Sequence, residues 1–188
     1  LKSSEGGVIM LTFRSRINSR DLENVREISA SSGMFDEDDI DITVCLADDA
    51  LYQLQHPEDD DYPHDTKFLF AEQNGKPCAY ACYGEIADSD ASYELYWLAT
   101  HNNCRGQGIG KALVAELIKR LKKQGARKLF IKTEACPRYK ATRRFYDSCG
   151  FTLEATLKQY YSSHDDCCIY GMCLDNSNKD LQIQSAAE

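Results

Sequence analysis

The 188-residue sequence predicts an α/β (α+β) fold: one mixed sheet of about seven strands flanked by about four helices. Three observations carry this expectation. The order of hydrophobic patterns reads strand, two helices, three strands, helix, strand, helix, two strands. An Asn74-Gly75 pair joins two strand-like runs, which is a strong hairpin signal. After residue 108 the apolar period switches from that of a strand to that of a helix.

The elements follow in chain order. A first strand alternates from Val8 through "VIMLTFRSR". Residues 19–33 read as a helix capped by Ser19 and stopped by Gly33. Residues 38–55 read as a second helix, although Ile and Thr at 40, 42 and 43 oppose it. Residues 56–65 form a loop with two prolines. Residues 66–86 are the hairpin, and "SYELYWLAT" (92–100) is apolar enough to be the central strand. From Gly108, Leu113, Val114, Leu117, Ile118 and Leu121 line one helical face. Lys119, Lys122 and Lys123 fall opposite, and Gly125 ends the helix. Residues 126–133 are a strand, and residues 137–150 a helix opened by Pro137 and closed by Gly150. Residues 151–161 and 167–174 make a last hairpin around the turn "SSHDD". Residues 10–175 form one domain. Residues 1–9 read as a leader outside the fold, with Met10 as a natural start, and residues 176–188 as a polar tail.

Composition narrows the function. A formal net charge of −8 argues against a nucleic-acid-binding domain. No apolar run is long enough to span a membrane. The charge is uneven: residues 36–61 hold many acids and no Lys or Arg, whereas Glu134 is the sole acid in the basic segment 119–144. The nine cysteines show no CxxC and no metal-ligand spacing, so no metal is expected. They read as small core residues in a reducing cytoplasm.

The stretch "HNNCRGQGIGKALVAEL" (101–117) carries glycine at 106, 108 and 110, just ahead of a helix. It fails as a P-loop, because Arg105 stands where the first glycine belongs and Ala112 where Ser or Thr belongs. It fails as a dinucleotide fingerprint, because its spacing is GxGxG and several strands precede it. Anion binding by bare amides at a helix N-terminus remains, with Arg105 and Lys111 adding charge. A tight turn without a ligand is the competing reading, and one glycine would serve it.

Arg105-x-x-Gly108-x-Gly110 after an apolar strand resembles the acyl-CoA-binding motif of the GNAT superfamily of N-acetyltransferases. "ELYWLAT" is similar to that family's central strand, and "RRFYDSCGF" to its aromatic-Tyr…Gly-Phe signature. The likeness runs from Phe68 to Leu174, and the closing "KQYYSSHDDCCIYGM" resembles a subset of these enzymes. The resemblance implies a largely antiparallel sheet and acetyl-CoA as co-substrate. Pantetheine would bond the backbone of Leu98, Ala99 and Thr100. The diphosphate would rest on the backbone amides of Arg105, Gly106, Gln107, Gly108, Ile109, Gly110 and Lys111. Arg143 and Lys140 would lie near the adenosine phosphates. Tyr146 corresponds to the family's general acid, and Glu94 stands where some members carry a base. The sequence departs from the family pattern at Thr100, Asn102, Tyr139 and Thr142.

Each assignment has a plainer competitor. Tyr146 also fits an apolar stripe with Phe145, and Glu94 a solvated strand end. Tyr139 and Trp97 are candidate walls of an acceptor site, with Tyr93, Tyr96, Tyr160 and Tyr161, though aromatic residues commonly fill sheet faces. Cys104 lacks a telling His, the four histidines fall in loops, and Asp165 and Asp166 read as turn residues. The expected activity is transfer of acetyl from acetyl-CoA to a primary amine of a small molecule or protein, with a homodimer compatible with the family. A cationic acceptor attracted by Asp59–Asp61 is a further expectation. The alternative is a non-catalytic acyl-CoA-binding module.

Overall fold

The computed structural model describes residues 10–59 and 66–175. The readings placed on residues 1–9 and 176–188, and on Asp60 and Asp61, lie outside the described residues. The order is β1 (Leu11–Arg14), α1 (Asp21–Ser32), α2 (Glu37–Gln55), β2 (Lys67–Gln73), β3 (Lys76–Glu85), β4 (Ser92–Thr100), α3 (Ile109–Lys123), β5 (Lys128–Glu134), α4 (Lys140–Ser148), β6 (Thr152–Ser162) and β7 (Asp165–Cys173). Seven strands form one sheet in the order β1-β2-β3-β4-β5-β7-β6. Every pairing is antiparallel except β4 with β5. Seven strands, four helices and a largely antiparallel sheet match the sequence expectation.

Turn chemistry accounts for several boundaries. Asn74 and Gly75 both adopt positive φ (52° and 78°), as a two-residue hairpin turn needs. Asp36 caps α2 by accepting the Asp39 amide at 2.9 Å. Ser19 does not cap α1, since Arg20 holds that place without a side-chain bond. Asp21 takes over, accepting the Asn18 amide at 2.8 Å and both terminal nitrogens of Arg14 at 2.8 and 2.9 Å. Pro137 opens a 3-10 turn (Pro137–Tyr139) before α4, not the helix itself. Asp165 and Asp166 lie in β7, because the hairpin turn closes earlier than expected.

The sheet has two cores. Leu113, Val114, Leu117 and Leu121 of α3 pack on one face with Leu69, Leu129 and Ile131. Val25 and Ile28 of α1 and Ala47 of α2 pack on the other with Phe68, Phe70 and Tyr80. Four cysteines (Cys78, Cys82, Cys167 and Cys168) are buried as expected, but Cys45 and Cys173 are exposed and the remaining three half-buried.

β4 changes face partway along. Leu95 pairs with Tyr83 and Trp97 with Cys82, which leaves Tyr96 as an extra residue, a β-bulge. Tyr93 and Leu95 therefore join the α3-side core, whereas Trp97 and Ala99 join the α1/α2 side. The pairing of β4 with β5 ends at Leu95–Ile131, immediately before the bulge. Beyond it the two strands splay, and two cavities lie in that gap.

Candidate active site

The first cavity, about 480 Å³, runs along the splayed end of β4 to the start of α3. Leu98, Ala99 and Thr100 form one wall, and Phe145 and Tyr146 of α4 another. Its floor is the glycine turn. Arg105, Gly106, Gly108, Ile109, Gly110 and Lys111 all line it.

The three glycines have separate reasons. Gly106 and Gly108 sit at φ 74° and 77°, in the left-handed region that a side chain disfavours. A Cβ at either would point into open space, which leaves their amides approachable. A Cβ on Gly110 would stand 3.3 Å from Thr100 Oγ1 and 3.6 Å from the Phe145 ring, so this glycine is set by packing. The first amides of α3, at residues 109–111, have no acceptor within the helix, and the helix dipole points its positive end at the same place. The amides of residues 106–108 donate to no backbone acceptor among the described residues. The turn thus offers a run of free donors suited to a diphosphate.

Not every residue expected at this cavity faces it. The Gln107 side chain instead bonds Gln73 at 3.1 Å and the Asn103 carbonyl at 3.2 Å. Arg143 lies off the cavity: its guanidinium donates to the carbonyls of Glu134 (2.6 Å) and Cys136 (3.0 Å) and ties α4 to the end of β5. Lys140 is exposed and lines neither cavity. Arg105 donates to the Ser32 carbonyl at 2.8 Å, and Arg138 to the Met34 carbonyl at 2.7 Å. These two arginines hold the α1–α2 connection across the gap.

The second cavity, about 420 Å³, opens on the β6 side of the gap. Glu94, Trp97 and Tyr139 line it, as do Tyr96, Tyr160 and Tyr161. Met34, Phe35, Leu98, Thr142 and Tyr146 line both cavities. Tyr146 is 7% exposed, packed edge-on against Phe145 and Phe151. Burial raises its pKa far above the usual phenol value, so its hydroxyl keeps its proton at neutral pH. Burial and the nearby Glu134 likewise push Tyr139 up to about 12.

Glu94 is not a solvated strand end. Its side chain is 16% exposed and pairs with Lys132 at 3.1 Å. Burial works against the Lys132 charge, but the hydrogen bond and field of Glu94 more than offset it. Glu134, the last residue of β5, lines the same cavity. Burial raises its pKa first, and a hydrogen bond shared with Asp165 adds to that. Cys136 donates its thiol to Glu134 at 3.4 Å and its amide to Asp165 at 3.1 Å. Glu134, Cys136 and Asp165 bring one potential ligand atom each within 4.8 Å of one another, a grouping that sequence spacing did not foretell.

Glu134, Met34 and Phe35 were missed in the sequence. The signals were present: Glu134 is the one acid in a basic segment, and Met34-Phe35 is an apolar pair stranded between a helix-stopping glycine and an acidic cap.

Comparison with known proteins agrees with this geometry. The pattern of the acetyltransferase (GNAT) family matches residues 34–151. A ribosomal protein bS18-alanine N-acetyltransferase from Escherichia coli K12 is 34% identical over 93 residues, 50% of this chain and 60% of that enzyme. The match thus spans less than two thirds of that relative's length. A crystal structure from Desulfovibrio desulfuricans, described as of the GNAT acetyltransferase family, superimposes with a TM-score of 0.80 at 32% identity, covering 88% of this chain and all of that one. The Salmonella typhimurium yncA structure with its cofactor acetyl-CoA shares the fold at a TM-score of 0.62 and 20% identity, covering 88% of this chain and 95% of that one. No helix among the described residues is long and apolar enough to cross a membrane. The chain belongs to the GNAT family of acetyltransferases.

Proposed function

We propose that this protein transfers an acetyl group from acetyl-CoA to a primary amine, and that Tyr146 is the general acid. One observation carries the reading: Tyr146 lines both cavities, so a single buried phenol borders a site for an anionic donor and a site for an acceptor. The residues of the larger cavity fit acetyl-CoA. Free amides over residues 106–111 suit its diphosphate, and the splayed backbone of Leu98–Thr100 suits an extended amide-bearing arm. When bound, acetyl-CoA supplies an activated thioester.

The protein's own groups supply the rest. An amine enters the smaller cavity as an ammonium ion and must lose a proton before it can attack. Glu94 and Glu134 both line that cavity. Lys132 holds Glu94 as a charge partner, whereas the raised pKa of Glu134 brings it closer to neutral pH, where a base works best. Glu134 is therefore the stronger base, and Glu94 with Lys132 positions the acceptor. Backbone amides of the splayed β4 meet the charge that builds on the carbonyl oxygen. Tyr146 gives its proton to the departing thiolate.

The acceptor is an amine on a flexible chain end or a small molecule. Tyr160 and Tyr161, 52% and 46% exposed, stand at the rim with apolar surface for such a segment. The E. coli relative acts on an alanine of a ribosomal protein, which places peptide α-amines first in a test panel. The experiment measures thiol release from acetyl-CoA with peptides and small amines, then identifies products by mass spectrometry. Release with at least one acceptor, slowed by about 10²–10³ in Tyr146→Phe, is the expected result. Acetyl-CoA binding with no release across the panel would instead assign a binding module.

A further inference from the structure

We propose that Cys78 and Cys104 form a redox pair whose closure to a disulfide opposes acetyl-CoA binding. The proposal rests on the reading that the larger cavity holds acetyl-CoA. Cys104 ends the 3-10 turn (Asn102–Cys104) directly before Arg105, and it lines both that cavity and a third one of about 220 Å³. Cys78, on β3, lines the third cavity too. The backbone draws them together. The Cys78 carbonyl accepts the His101 amide at 2.8 Å, and the Cys104 amide folds back onto the His101 carbonyl at 2.9 Å. Both side chains pack in the α3-side core, where the Cys78 thiol donates to the Ala71 carbonyl at 3.3 Å.

The open pair is wired to the glycine turn. The Cys104 thiol donates to Gln73 Oε1 at 3.6 Å, Gln73 Nε2 donates to Gln107 Oε1 at 3.1 Å, and Gln107 Nε2 donates to the Asn103 carbonyl at 3.2 Å. Closure needs an S–S distance of about 2.05 Å. Drawing Cys104 toward β3 breaks its bond to Gln73, loosens Gln107, and drags Arg105 out of the donor cavity. By linkage, acetyl-CoA in that cavity resists closure.

The chemistry uses a low-molecular-weight disulfide as oxidant. Burial holds the Cys78 thiol up to about 11, so half-buried Cys104 meets the oxidant first. Its thiolate attacks RSSR, an S–S bond breaks, and RS⁻ leaves to be protonated. The Cys78 sulfur then gives up its proton and attacks the Cys104 sulfur of the mixed disulfide, expelling the second RS⁻. Two protein thiols are oxidised and one RSSR is reduced to two RSH.

The test treats the purified protein with oxidised glutathione, with and without saturating acetyl-CoA, which carries no free thiol. Non-reducing peptide mapping and calorimetry then follow on wild type and Cys78→Ala. The expected result is a Cys78–Cys104 linked peptide, about a tenfold loss of acetyl-CoA affinity reversed by dithiothreitol, and slower linkage when acetyl-CoA is present. Cys78→Ala should form no link and lose less affinity on oxidation. Glutathione on Cys104 without a link, unchanged affinity after linkage, or an equal loss in Cys78→Ala would each overturn the proposal. Reduced wild type that binds no acetyl-CoA would overturn the donor-cavity reading instead, and the peptide map still decides whether the pair closes.

Discussion

The two cavities meet at Tyr146, yet they are built from different materials. The larger cavity, proposed as the donor site, offers main-chain groups: bare amides of the glycine turn, a strand pushed out of register by Tyr96, and glycines whose angles or packing disfavour a side chain. The smaller cavity, proposed as the acceptor site, is lined by carboxylates and aromatic rings from the α1–α2 connection, β4, β5, α4 and β6. A ligand that never changes can be held by backbone geometry, which tolerates drift elsewhere. A ligand that defines an individual enzyme is held by side chains, which one substitution can exchange.

The sharpest way to break this contrast is Gly108→Glu. It forces a side chain into a φ of 77°, at a strain of about 1–3 kcal/mol, and sets a carboxylate against the diphosphate. We expect acetyl-CoA affinity by calorimetry to fall about a thousandfold or more, since like charges forced together cost several kcal/mol. Gly110→Ala should do far less, because Thr100 Oγ1 needs to yield only slightly. Equal losses from the two would mean that the turn serves packing alone.

Next in size is Tyr146→Phe. It keeps the ring in its aromatic cluster and removes only the hydroxyl. The expected loss is about 10²–10³ in kcat with acetyl-CoA affinity unchanged. A comparable loss in affinity would move Tyr146 from proton transfer to donor binding.

Glu134→Gln and Glu94→Gln separate the two carboxylates of the acceptor side. For Glu134 the expected loss in kcat/KM is about a hundredfold, and for Glu94 less than tenfold. The pH profile gives a further check. Because the Glu134 pKa is raised, its base form appears only as pH climbs past the usual carboxylate range near about 4.3, and kcat/KM rises through that limb. Glu134→Gln should erase the limb. The stability sign runs the other way: a raised pKa favours the protonated carboxyl in the fold. That contribution is complete below the unfolded value and is lost as pH rises through the folded one. A limb that survives Glu134→Gln but not Glu94→Gln would exchange their roles.

The same contrast explains what the sequence revealed. Element order, the hairpin at Asn74-Gly75 and the apolar face of α3 were legible because each depends on local period or turn chemistry. So was the glycine turn, whose backbone requirements appear directly as glycine. The bulge at Tyr96 was not legible, since an extra residue in a strand of mixed aromatic and apolar residues leaves no break in pattern. Nor was the fate of the basic segment. The family resemblance implied Arg143 near the adenosine phosphates, but backbone carbonyls at a strand end compete for the same guanidinium, and in the fold they bind it. Glu134 and Asp165 lie 31 residues apart and meet only because β5 pairs with β7.

At the seam between the cavities no effect larger than about tenfold is expected. Phe35 packs edge-on against Trp97 at 5.3 Å and lines both sites, on a connection anchored by Arg105 and Arg138. Phe35→Ala removes the ring but leaves those anchors, which hold the carbonyls of Ser32 and Met34. The donor should barely notice, with acetyl-CoA affinity falling about threefold or less, since its main-chain contacts are untouched. The acceptor should notice more, because the loss of one wall and of the Trp97 contact removes about 1–1.5 kcal/mol, or about tenfold in acceptor KM. Measured together on one preparation, the two constants test whether donor and acceptor recognition are separable across a shared residue. A larger loss for acetyl-CoA than for the acceptor would show that the side chains of the α1–α2 connection, and not the glycine turn alone, hold the donor.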